Sequence, residues 1–308
     1  MDGLLIINKP KGCTSHDVID KLRKILSIQK IGHTGTLDPD ATGVLCVCIG
    51  KATRLAQYTG EDEKEYKVVM KLGVSTDTQD ATGKVIKETR DYEITIDEIE
   101  EALRKFTGKI TQIPPMYSAV KVGGVPLYRL ARKGKEVLRK PREVHIKEIK
   151  LLDFSGIFAR FDVTCSKGTY VRTLCADIGD YLGAGAHMST LERIRSGGFY
   201  IRDAMTLDEV ERFKLAGTLT SRLISMEQVT GWMPSVVVKR PWDLFIKDGR
   251  PLDAGAVIGI KSQFGKGDRV AIMDSEEKLL AIGAALCESG SVTQGCSGNV
   301  LKVDKVLV

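Results

Sequence analysis

The sequence predicts an α+β protein: a mixed, mostly antiparallel sheet with flanking helices and a projecting basic arm, followed by a small C-terminal β-barrel. Three observations predict this organisation. Apolar runs of strand length alternate with segments that begin at helix caps, and a stretch rich in glycine, proline and basic residues interrupts them. From about Trp232 onward, short strands separated by glycine turns follow one another closely, as in a small barrel. We expect domains of residues 1–230 and 231–308.

Strands and helices of the first domain are predicted from hydrophobic periodicity and from capping residues. Strands are expected at residues 3–8, 44–49, 65–74, 145–154 and 160–165. Helices are expected at residues 17–28, 96–106, 171–182 and from 207 onward. Thr14 or Ser15 caps the first helix, and Thr95-x-x-Glu98 forms a capping box for the second.

A basic segment lies in the middle of the chain. Between Ser118 and Lys150 there are ten basic and three acidic residues, an excess of seven, whereas the whole chain carries only +6. Residues 112–144 also contain three glycines and four prolines, which predicts a loop or short helical arm that stays outside the sheet. A solvated basic face would explain the charge, but an arm of this composition favours a surface for a polyanion, with nucleic acid as the leading partner.

Several classes of protein and of site are disfavoured. Seven cysteines without a C-x-x-C pair suggest neither a disulfide framework nor a zinc site, and we expect them to be small buried side chains. The four histidines lack metal-ligand spacing, so no metal is expected. No apolar run approaches the roughly 20 residues of a membrane helix, and the N-terminus does not resemble a secretory signal. A cytoplasmic location follows as the expectation.

The stretch GHTGTLDPDATGVL, residues 32–45, raises a question of chemistry. Pro39 keeps Asp38 out of the helical region, so the Asp38 carboxylate stands on a stiff turn. Asp40 lies two residues further on, and on a non-helical turn the two side chains diverge, which argues against a paired acid and base. From the residues alone, Asp38 is a turn residue, a catalytic acid or a structural ion-pair partner. A nucleophilic role requires a nearby cation, which must come from elsewhere in the chain.

Ordered blocks of sequence resemble those of the TruB-type tRNA pseudouridine synthases, which isomerise the T-loop uridine at tRNA position 55. The match runs through most of the chain, and its blocks are LLIINKPKGCTSHDV, GHTGTLDPDATGVL with GKATRL, EYKVVMKLGVSTDTQDATG, IPPMYSAVKVGGVPLYRLARKG, CSKGTYVRTLCADIGDYLG and LERIRSG. The C-terminal barrel is similar to the PUA domain of this family. The resemblance therefore implies a catalytic domain whose arm grips the T arm, and a PUA-like domain that contacts the acceptor end.

The resemblance also implies roles for single residues. Asp38 matches the nucleophilic aspartate, and Arg172 in GTYVRTL matches the arginine that pairs with it. Tyr66 matches the tyrosine that stacks on the target base and is placed for proton chemistry. Asp40 is then left as a turn residue.

Further positions match residues expected to contact substrate. Tyr170 and Leu191 match side chains of the pocket wall, and His33 matches a histidine that packs into the RNA loop where the uridine has been withdrawn. Lys9 and Pro10 match the motif that buttresses the catalytic floor, and Lys9 is counted among the substrate-binding residues.

An isomerisation of this kind breaks the N1–C1′ bond, rotates the uracil and joins C5 to C1′, so no cofactor is expected. Asp38 could add to the base or sugar, or remove the 2′ proton to give a glycal; the sequence does not choose. The expected partner is tRNA, bound through phosphates in a salt-dependent manner by a monomer that needs neither a membrane nor another protein. Two alternatives stay open: the guide-dependent subunit of an RNA–protein particle, and a non-catalytic tRNA-folding chaperone.

Overall fold

A computed structural model describes residues 1–59, 63–293 and 297–308. In these ranges the strands are β1 (Gly3–Lys9), β2 (Ile31–Thr34), β3 (Thr42–Ile49), β4 (Lys64–Leu72), β5 (Val74–Thr76), β6 (Val85–Glu88), β7 (Gly108–Gln112), β8 (Lys121–Val122), β9 (Val125–Pro126), β10 (Arg142–Phe154), β11 (Phe158–Cys165), β12 (Ala186–Ser196), β13 (Phe199–Tyr200), β14 (Ser235–Val238), β15 (Leu252–Asp253), β16 (Val257–Ile260), β17 (Arg269–Met273), β18 (Leu279–Ala285) and β19 (Asn299–Val306). The α-helices are α1 (Ser15–Leu26), α2 (Ala56–Thr59), α3 (Ile96–Lys105), α4 (Leu127–Ala131), α5 (Val171–Tyr181), α6 (Leu207–Leu215), α7 (Met226–Val229), α8 (Trp242–Lys247) and α9 (Ser289–Thr293). None of the helices in the described ranges is long and apolar enough to span a membrane.

The larger sheet has the strand order β1-β3-β12-β4-β11-β10-β7, with β2 paired to β3 and β13 paired to β12. Its pairs are antiparallel except for β3 and β12, which run parallel where Thr42 and Gly43 meet Glu192 and Arg193. The prediction of a mixed, mostly antiparallel sheet with flanking helices is therefore confirmed. Gly43 is required at this junction because it has a φ of +100° and a Cβ there would lie 2.2 Å from the carbonyl oxygen of Arg193.

Helices cover one face of this sheet in two separate groups. Val18, Ile19 and Leu22 of α1 are buried against Leu5 and Leu45 of the sheet. At the other end, α5 packs on β12 and α3 on β10, over a core to which β4 and β11 also contribute. The turn that carries Asp38 lies between β2 and β3; Ser15 of α1 is hydrogen-bonded to Leu37 of this turn, and Leu37 belongs to the apolar cluster that includes α5.

Most predicted elements are observed, with shifts at their ends. Thr14 caps α1 through a capping box with Asp17, and the helix ends earlier than predicted because Ser27 adopts a left-handed conformation. The strand expected over 65–74 ends at Leu72, since Gly73 has a φ of +81° and turns the chain.

The predicted arm was too long at both ends. Gln112 closes β7 and Arg142 opens β10, and these two residues pair with each other within the larger sheet. The Gln112 side chain also binds the backbone of Tyr170: its Nε2 donates to the Tyr170 carbonyl (3.2 Å), and its Oε1 accepts from the Tyr170 N–H (3.0 Å). The segment outside the sheet is therefore 113–141, which holds the short β8–β9 hairpin and α4.

The C-terminal strands form a second sheet in the order β15-β19-β18-β17-β14-β16, which curls into a nearly closed β-barrel as predicted. Its interior is filled by aliphatic side chains such as Val236, Ile272 and Leu280. The fold class expected from the sequence, an α+β domain followed by a small barrel, is thus confirmed.

A second apolar cluster joins the barrel to the larger sheet. Leu4 and Cys48 from strands β1 and β3 are completely buried together with Leu279, Ile282 and Leu307 from the barrel. Polar contacts accompany this core: Arg54 donates to the Val306 carbonyl (2.8 Å), and the Leu279 N–H donates to Glu227 (3.0 Å). Because both sheets contribute side chains to one apolar core, they are packed as a single unit.

Cysteines behave largely as small core side chains. Cys46, Cys48, Cys165 and Cys175 are buried as free thiols, and burial raises the pKa of Cys48 to about 12. The two other described cysteines, Cys13 and Cys287, are only half-buried, so the expectation does not hold for them. Cys296 lies outside the described residues.

Candidate active site

Hydrogen bonds from α1 and from the loop that precedes it hold the turn that carries Asp38. Ser15 at the start of α1 exchanges two hydrogen bonds with the backbone of Leu37: its Oγ accepts from the N–H (2.9 Å) and donates to the carbonyl (3.1 Å). Leu37 itself is buried in the core under α5. The Gly12 N–H donates to the Pro39 carbonyl (3.1 Å). These contacts fix the backbone on both sides of Asp38.

Lys9 supports the same turn. Its ammonium group has no exposed surface and donates to the carbonyls of Pro10 (2.9 Å), Cys13 (2.6 Å) and Pro39 (2.8 Å). Burial lowers the pKa of Lys9, although nearby carboxylates act in the opposite direction. Lys9 therefore holds the turn from inside the protein, and its place among the substrate-binding residues stays a prediction.

Asp38 and Arg172 form an ion pair across the cleft. Arg172 Nη2 lies 2.7 Å from Asp38 Oδ1, although the two residues are 134 positions apart in the sequence. The Arg172 side chain is only 7% exposed, whereas 30% of the Asp38 side chain stays accessible. Burial raises the pKa of Asp38, and the Arg172 guanidinium opposes that rise. The pair therefore presents one partly open, oriented carboxylate above a buried cation.

A second carboxylate, Asp80, was missed by the sequence reasoning. Asp80 Oδ2 lies 3.4 Å from Arg172 Nη1, so the guanidinium stands between two acids. Its other oxygen, Oδ1, accepts from Thr78 Oγ1 (2.7 Å), Thr82 Oγ1 (2.6 Å) and the Thr82 N–H (3.0 Å). The only signal in the sequence was a polar turn, STDTQDATG, directly after a strand.

The predicted pocket residues Tyr66, Tyr170 and Leu191 differ in burial. Tyr66 on β4 and Leu191 on β12 are both more than 90% buried and belong to the same core cluster as Leu37. Tyr170 precedes α5 as its N-cap residue and is half-buried, with the Arg142 guanidinium 5.9 Å from the centre of its ring. Burial raises the pKa of Tyr66 to about 12, so its hydroxyl keeps its proton.

Two further residues of the motif, His33 and Asp40, have different surroundings. His33 is half-buried on β2, and its Nδ1 is buried without a hydrogen-bond partner among the described residues. Burial, followed by the nearby Arg193, lowers the pKa of His33, which keeps the ring neutral. Asp40 is exposed and lines, with Lys11, Thr42 and Leu191, a groove of about 460 Å³, whereas Asp38 is paired with Arg172.

Arg193 was also missed. It stands beneath the turn with 1% of its surface exposed, and its guanidinium donates to backbone carbonyls of the turn and of β3. A signal existed, because Arg193 follows the buried Leu191 by two residues in a strand and so shares its face.

The chain matches three protein families along its length. Residues 23–171 match the N-terminal domain of the TruB family pseudouridylate synthases, and residues 172–230 match the tRNA pseudouridylate synthase B C-terminal domain. Residues 234–307 match the PUA domain. Together with the mixed sheet and the arginine-held aspartate, these matches define the class of the protein: a pseudouridylate synthase with a C-terminal PUA domain.

Curated relatives give the particular family. A tRNA pseudouridine synthase B of Clostridioides difficile (strain 630) is 43% identical over 285 residues, covering 92% of this chain and 94% of the relative. One of Bacillus anthracis is 46% identical over 290 residues, covering 92% of each. The chain belongs to the TruB family.

Solved structures show the same fold at lower identity. A Cbf5-Nop10-Gar1 complex contains a chain that is 31% identical, with a TM-score of 0.78 and coverage of 99% of this chain and 85% of the other. An H/ACA RNP bound to a substrate RNA containing 2′-deoxyuridine gives 29% identity with the same TM-score and the same coverage.

Proposed function

We propose that this protein isomerises the T-loop uridine at position 55 of tRNA to pseudouridine, with Asp38 as the nucleophile. The observation that carries the proposal is the ion pair of Asp38 with Arg172: a carboxylate that is oriented, partly accessible and balanced by a buried cation. Relatives that share 43–49% of their residues with this chain are named tRNA pseudouridine synthase B, which supports the choice of tRNA as substrate.

The chemistry uses the chain's own side chains. The target uridine leaves its loop, and stacking on Tyr66 between Leu191 and Tyr170 offsets part of the few kcal/mol that flipping costs. His33, neutral because of its burial, fills the space that the base vacates. Asp38 then either forms a covalent adduct or removes the 2′ proton to give a glycal. In both routes the N1–C1′ bond breaks, C5 joins C1′, C5 loses its proton and N1 gains one. A covalent bond to Asp38 breaks again before release, and a proton taken from C2′ is returned to it, so the product is an isomer of the substrate.

The two domains divide the binding of RNA. Residues 1–230 form the catalytic domain, whose arm, 113–141, carries much of the basic excess and holds the phosphates of the T arm. Residues 231–308 form the RNA-binding PUA domain and contact the acceptor end. The protein acts as a cytoplasmic monomer and reads mainly the shape of the RNA.

A guide-dependent subunit is the second candidate, since similar solved chains come from H/ACA particles. Those chains are 29–31% identical, whereas the bacterial relatives named as tRNA enzymes are 43–49% identical. The greater similarity favours the stand-alone enzyme.

The test uses the purified chain, an unmodified tRNA transcript and no guide RNA. We expect pseudouridine from the unaltered protein, and none from Asp38→Asn, while the tRNA Kd of that variant stays within a few-fold. Asp40→Asn is the matched control, because Asp40 is exposed on the same turn, and it is expected to keep its turnover. Product from Asp38→Asn would exclude Asp38 as the nucleophile. Binding without any product from the unaltered protein would favour the guide-dependent subunit or the chaperone.

A further inference from the structure

Gln79 has an unusual backbone conformation next to the second carboxylate that binds Arg172. Among the residues that the structure describes, three non-glycine residues have a positive φ: Ser27, Gln79 and Glu277. Gln79 has a φ of +64° and directly precedes Asp80 in the connection of β5 to β6, residues 77–84 (the Asp80 turn). A side chain in the left-handed region has a conformational cost, and this conformation persists only where surrounding contacts hold it.

Backbone hydrogen bonds tie this part of the chain to β12. The Met188 N–H donates to the Gln79 carbonyl (3.0 Å), and the Ala81 N–H donates to the Met188 carbonyl (3.0 Å). Asp80 lies between these two hydrogen bonds. The Gln79 N–H also donates to the Thr76 carbonyl (3.1 Å), and Thr76 Oγ1 donates to the Asp80 carbonyl (2.7 Å). The backbone around Asp80 is therefore fixed by contacts with both β5 and β12.

The Gln79 side chain makes a separate contact with α5. Its Oε1 accepts a hydrogen bond from Thr173 Oγ1 at 2.8 Å, although the two residues are 94 positions apart in the sequence. Thr173 is 2% exposed and directly follows Arg172 in α5. A threonine hydroxyl has a single proton, so Thr173 commits its only side-chain donor to Gln79. Gln79 therefore links the Asp80 turn to the first turn of the helix that carries Arg172.

Two adjacent side-chain contacts thus join the Asp80 turn to α5. The contact of Asp80 with Arg172 spans 3.4 Å and shares its guanidinium with Asp38, whereas the Gln79 contact has the length of a well-formed hydrogen bond. In an extended segment, neighbouring side chains point to opposite sides and cannot both reach one helix. The left-handed conformation of Gln79 turns the chain, and both side chains reach α5. Glycine would adopt this conformation more easily, but it has no amide to bind Thr173.

We propose that Gln79 is a positioning residue: its amide, bonded to Thr173, holds the Asp80 turn against α5 so that Asp80 stays on Arg172. Arg172 in turn orients Asp38. The proposal rests on the proposed function. It accounts for a strained glutamine at this position, and it makes the orientation of the nucleophile depend on a side chain outside the ion pair.

Gln79→Gly is the first test, because it removes the amide and also relieves the backbone strain, so that the fold is retained. We expect the single-turnover rate to fall about 3- to 10-fold, since small misplacements near the reacting groups have effects of this size. The tRNA Kd should change less than about twofold. In an Asp80→Asn background, the same substitution should lower the rate by no more than about twofold, because the carboxylate through which Gln79 acts is absent.

Thr173→Val removes the other partner of the hydrogen bond and keeps a side chain of similar shape. It should reproduce the rate loss of Gln79→Gly, and the double variant should be no slower than either single variant. Glu277→Gly is the matched control for strain. Glu277 has a φ of +62° but is exposed in the turn between β17 and β18 of the barrel, so the control should keep the full rate.

Three outcomes of these measurements would overturn the proposal. A Gln79→Gly variant that turns over normally would show that the amide is dispensable. Rate losses of Gln79→Gly and Asp80→Asn that multiply would show that Gln79 does not act through Asp80. Equal losses in rate and in tRNA binding would make Gln79 an RNA contact instead.

The pH dependence of the rate separates positioning from general destabilisation. Burial and Asp80 raise the pKa of Asp38, whereas Arg172 and Lys9 lower it. When the Asp80 turn is released in Gln79→Gly, the upward effect of Asp80 weakens, and the pKa of Asp38 falls. The acid limb of the pH–rate profile should therefore move to lower pH while the plateau rate falls. Partial unfolding would lower the rate without moving this limb.

The same pKa is measured in the free protein without turnover. Carbon NMR of isotopically labelled aspartate carboxyl groups follows Asp38, whose signal is assigned by its loss in Asp38→Asn. We expect a lower pKa in Gln79→Gly and in Thr173→Val, and an unchanged one in Glu277→Gly. An unchanged pKa in Gln79→Gly would overturn the proposal. If the unaltered chain makes no pseudouridine, the proposed function fails instead, and this titration still decides the role of Gln79.

Discussion

Replacing Arg172 by methionine removes the cation that balances Asp38 while keeping a side chain of similar length. In the unaltered protein, burial raises the pKa of Asp38, Arg172 lowers it, and the nearby Asp80 raises it again. Without Arg172, the two upward effects are opposed only by the smaller effect of Lys9. An adjacent cation typically lowers an aspartate pKa by about 1–3 units, so we expect the Asp38 pKa to rise by about that amount.

The size of the rate loss follows from this shift. Below the pKa, each unit lowers the ionised fraction of Asp38 tenfold, so turnover at a fixed acidic pH should fall by about 10- to 1000-fold. The sign is definite: only the ionised carboxylate is competent, so the acid limb of the pH–rate profile moves to higher pH, and raising the pH restores part of the rate. The tRNA Kd should stay within a few-fold, since Arg172 is 7% exposed and does not face solvent.

The assay is single-turnover pseudouridine formation in tRNA over a series of pH values, with Kd measured in parallel. Arg172→Lys is the companion variant, which restores a charge without the two-sided fork and should recover part of the rate. An acid limb that does not move in Arg172→Met, or equal losses in rate and binding, would refute the reasoning and make Arg172 an RNA contact.

Two further predictions concern the second carboxylate and the shared core. Asp80→Asn leaves Arg172 with a single carboxylate partner and should lower the single-turnover rate about 10-fold, with the tRNA Kd unchanged. Asp77 is exposed in the same turn, so Asp77→Asn is the control and should keep the full rate. Equal rate losses in the two variants would refute this prediction. Leu279→Ala opens a cavity in the core shared by both sheets, so it should destabilise both domains together by about 2–5 kcal/mol. In melts followed by tryptophan fluorescence, which reports only the barrel half, and by loss of turnover, the two midpoints should fall equally. Leu280→Ala, inside the barrel's own core, should shift the fluorescence first; a Leu279→Ala shift in fluorescence alone would contradict the prediction.

Local patterns in the sequence predicted the helices and strands well, because hydrophobic periodicity and helix capping depend on residues only a few positions apart. The capping boxes at Thr95 and Thr206 appear in the structure with both reciprocal hydrogen bonds. Strand ends were less predictable. The 65–74 run keeps its alternating pattern through Lys71 and Leu72, and only the positive φ of Gly73 ends the strand. The ends of the arm depended on the Gln112–Tyr170 contact, which joins residues 58 positions apart.

The site shows the same limit. Asp38 and its rigid turn were visible in one short stretch, but its cation came only through resemblance, since no local pattern encodes a contact across 134 residues. Asp80 looked like an ordinary turn residue because its second role depends on where α5 places Arg172. Lys9 shows the same limit. No local pattern indicates that the carbonyls of Pro10, Cys13 and Pro39 enclose its ammonium group, because Pro39 lies 30 positions away in the sequence.

The apolar core between the two sheets couples the substitutions that the catalytic domain and the barrel can accept during evolution. Leu4 and Cys48 on one side and Leu279 and Leu307 on the other belong to a single cluster. A change of side-chain volume at any of them leaves a gap or an overlap that a change on the opposite sheet can correct. Substitutions at these positions are therefore expected to covary among relatives. A barrel taken from another species is expected to pack on this catalytic domain only when its side chains at these positions fit those of β1 and β3.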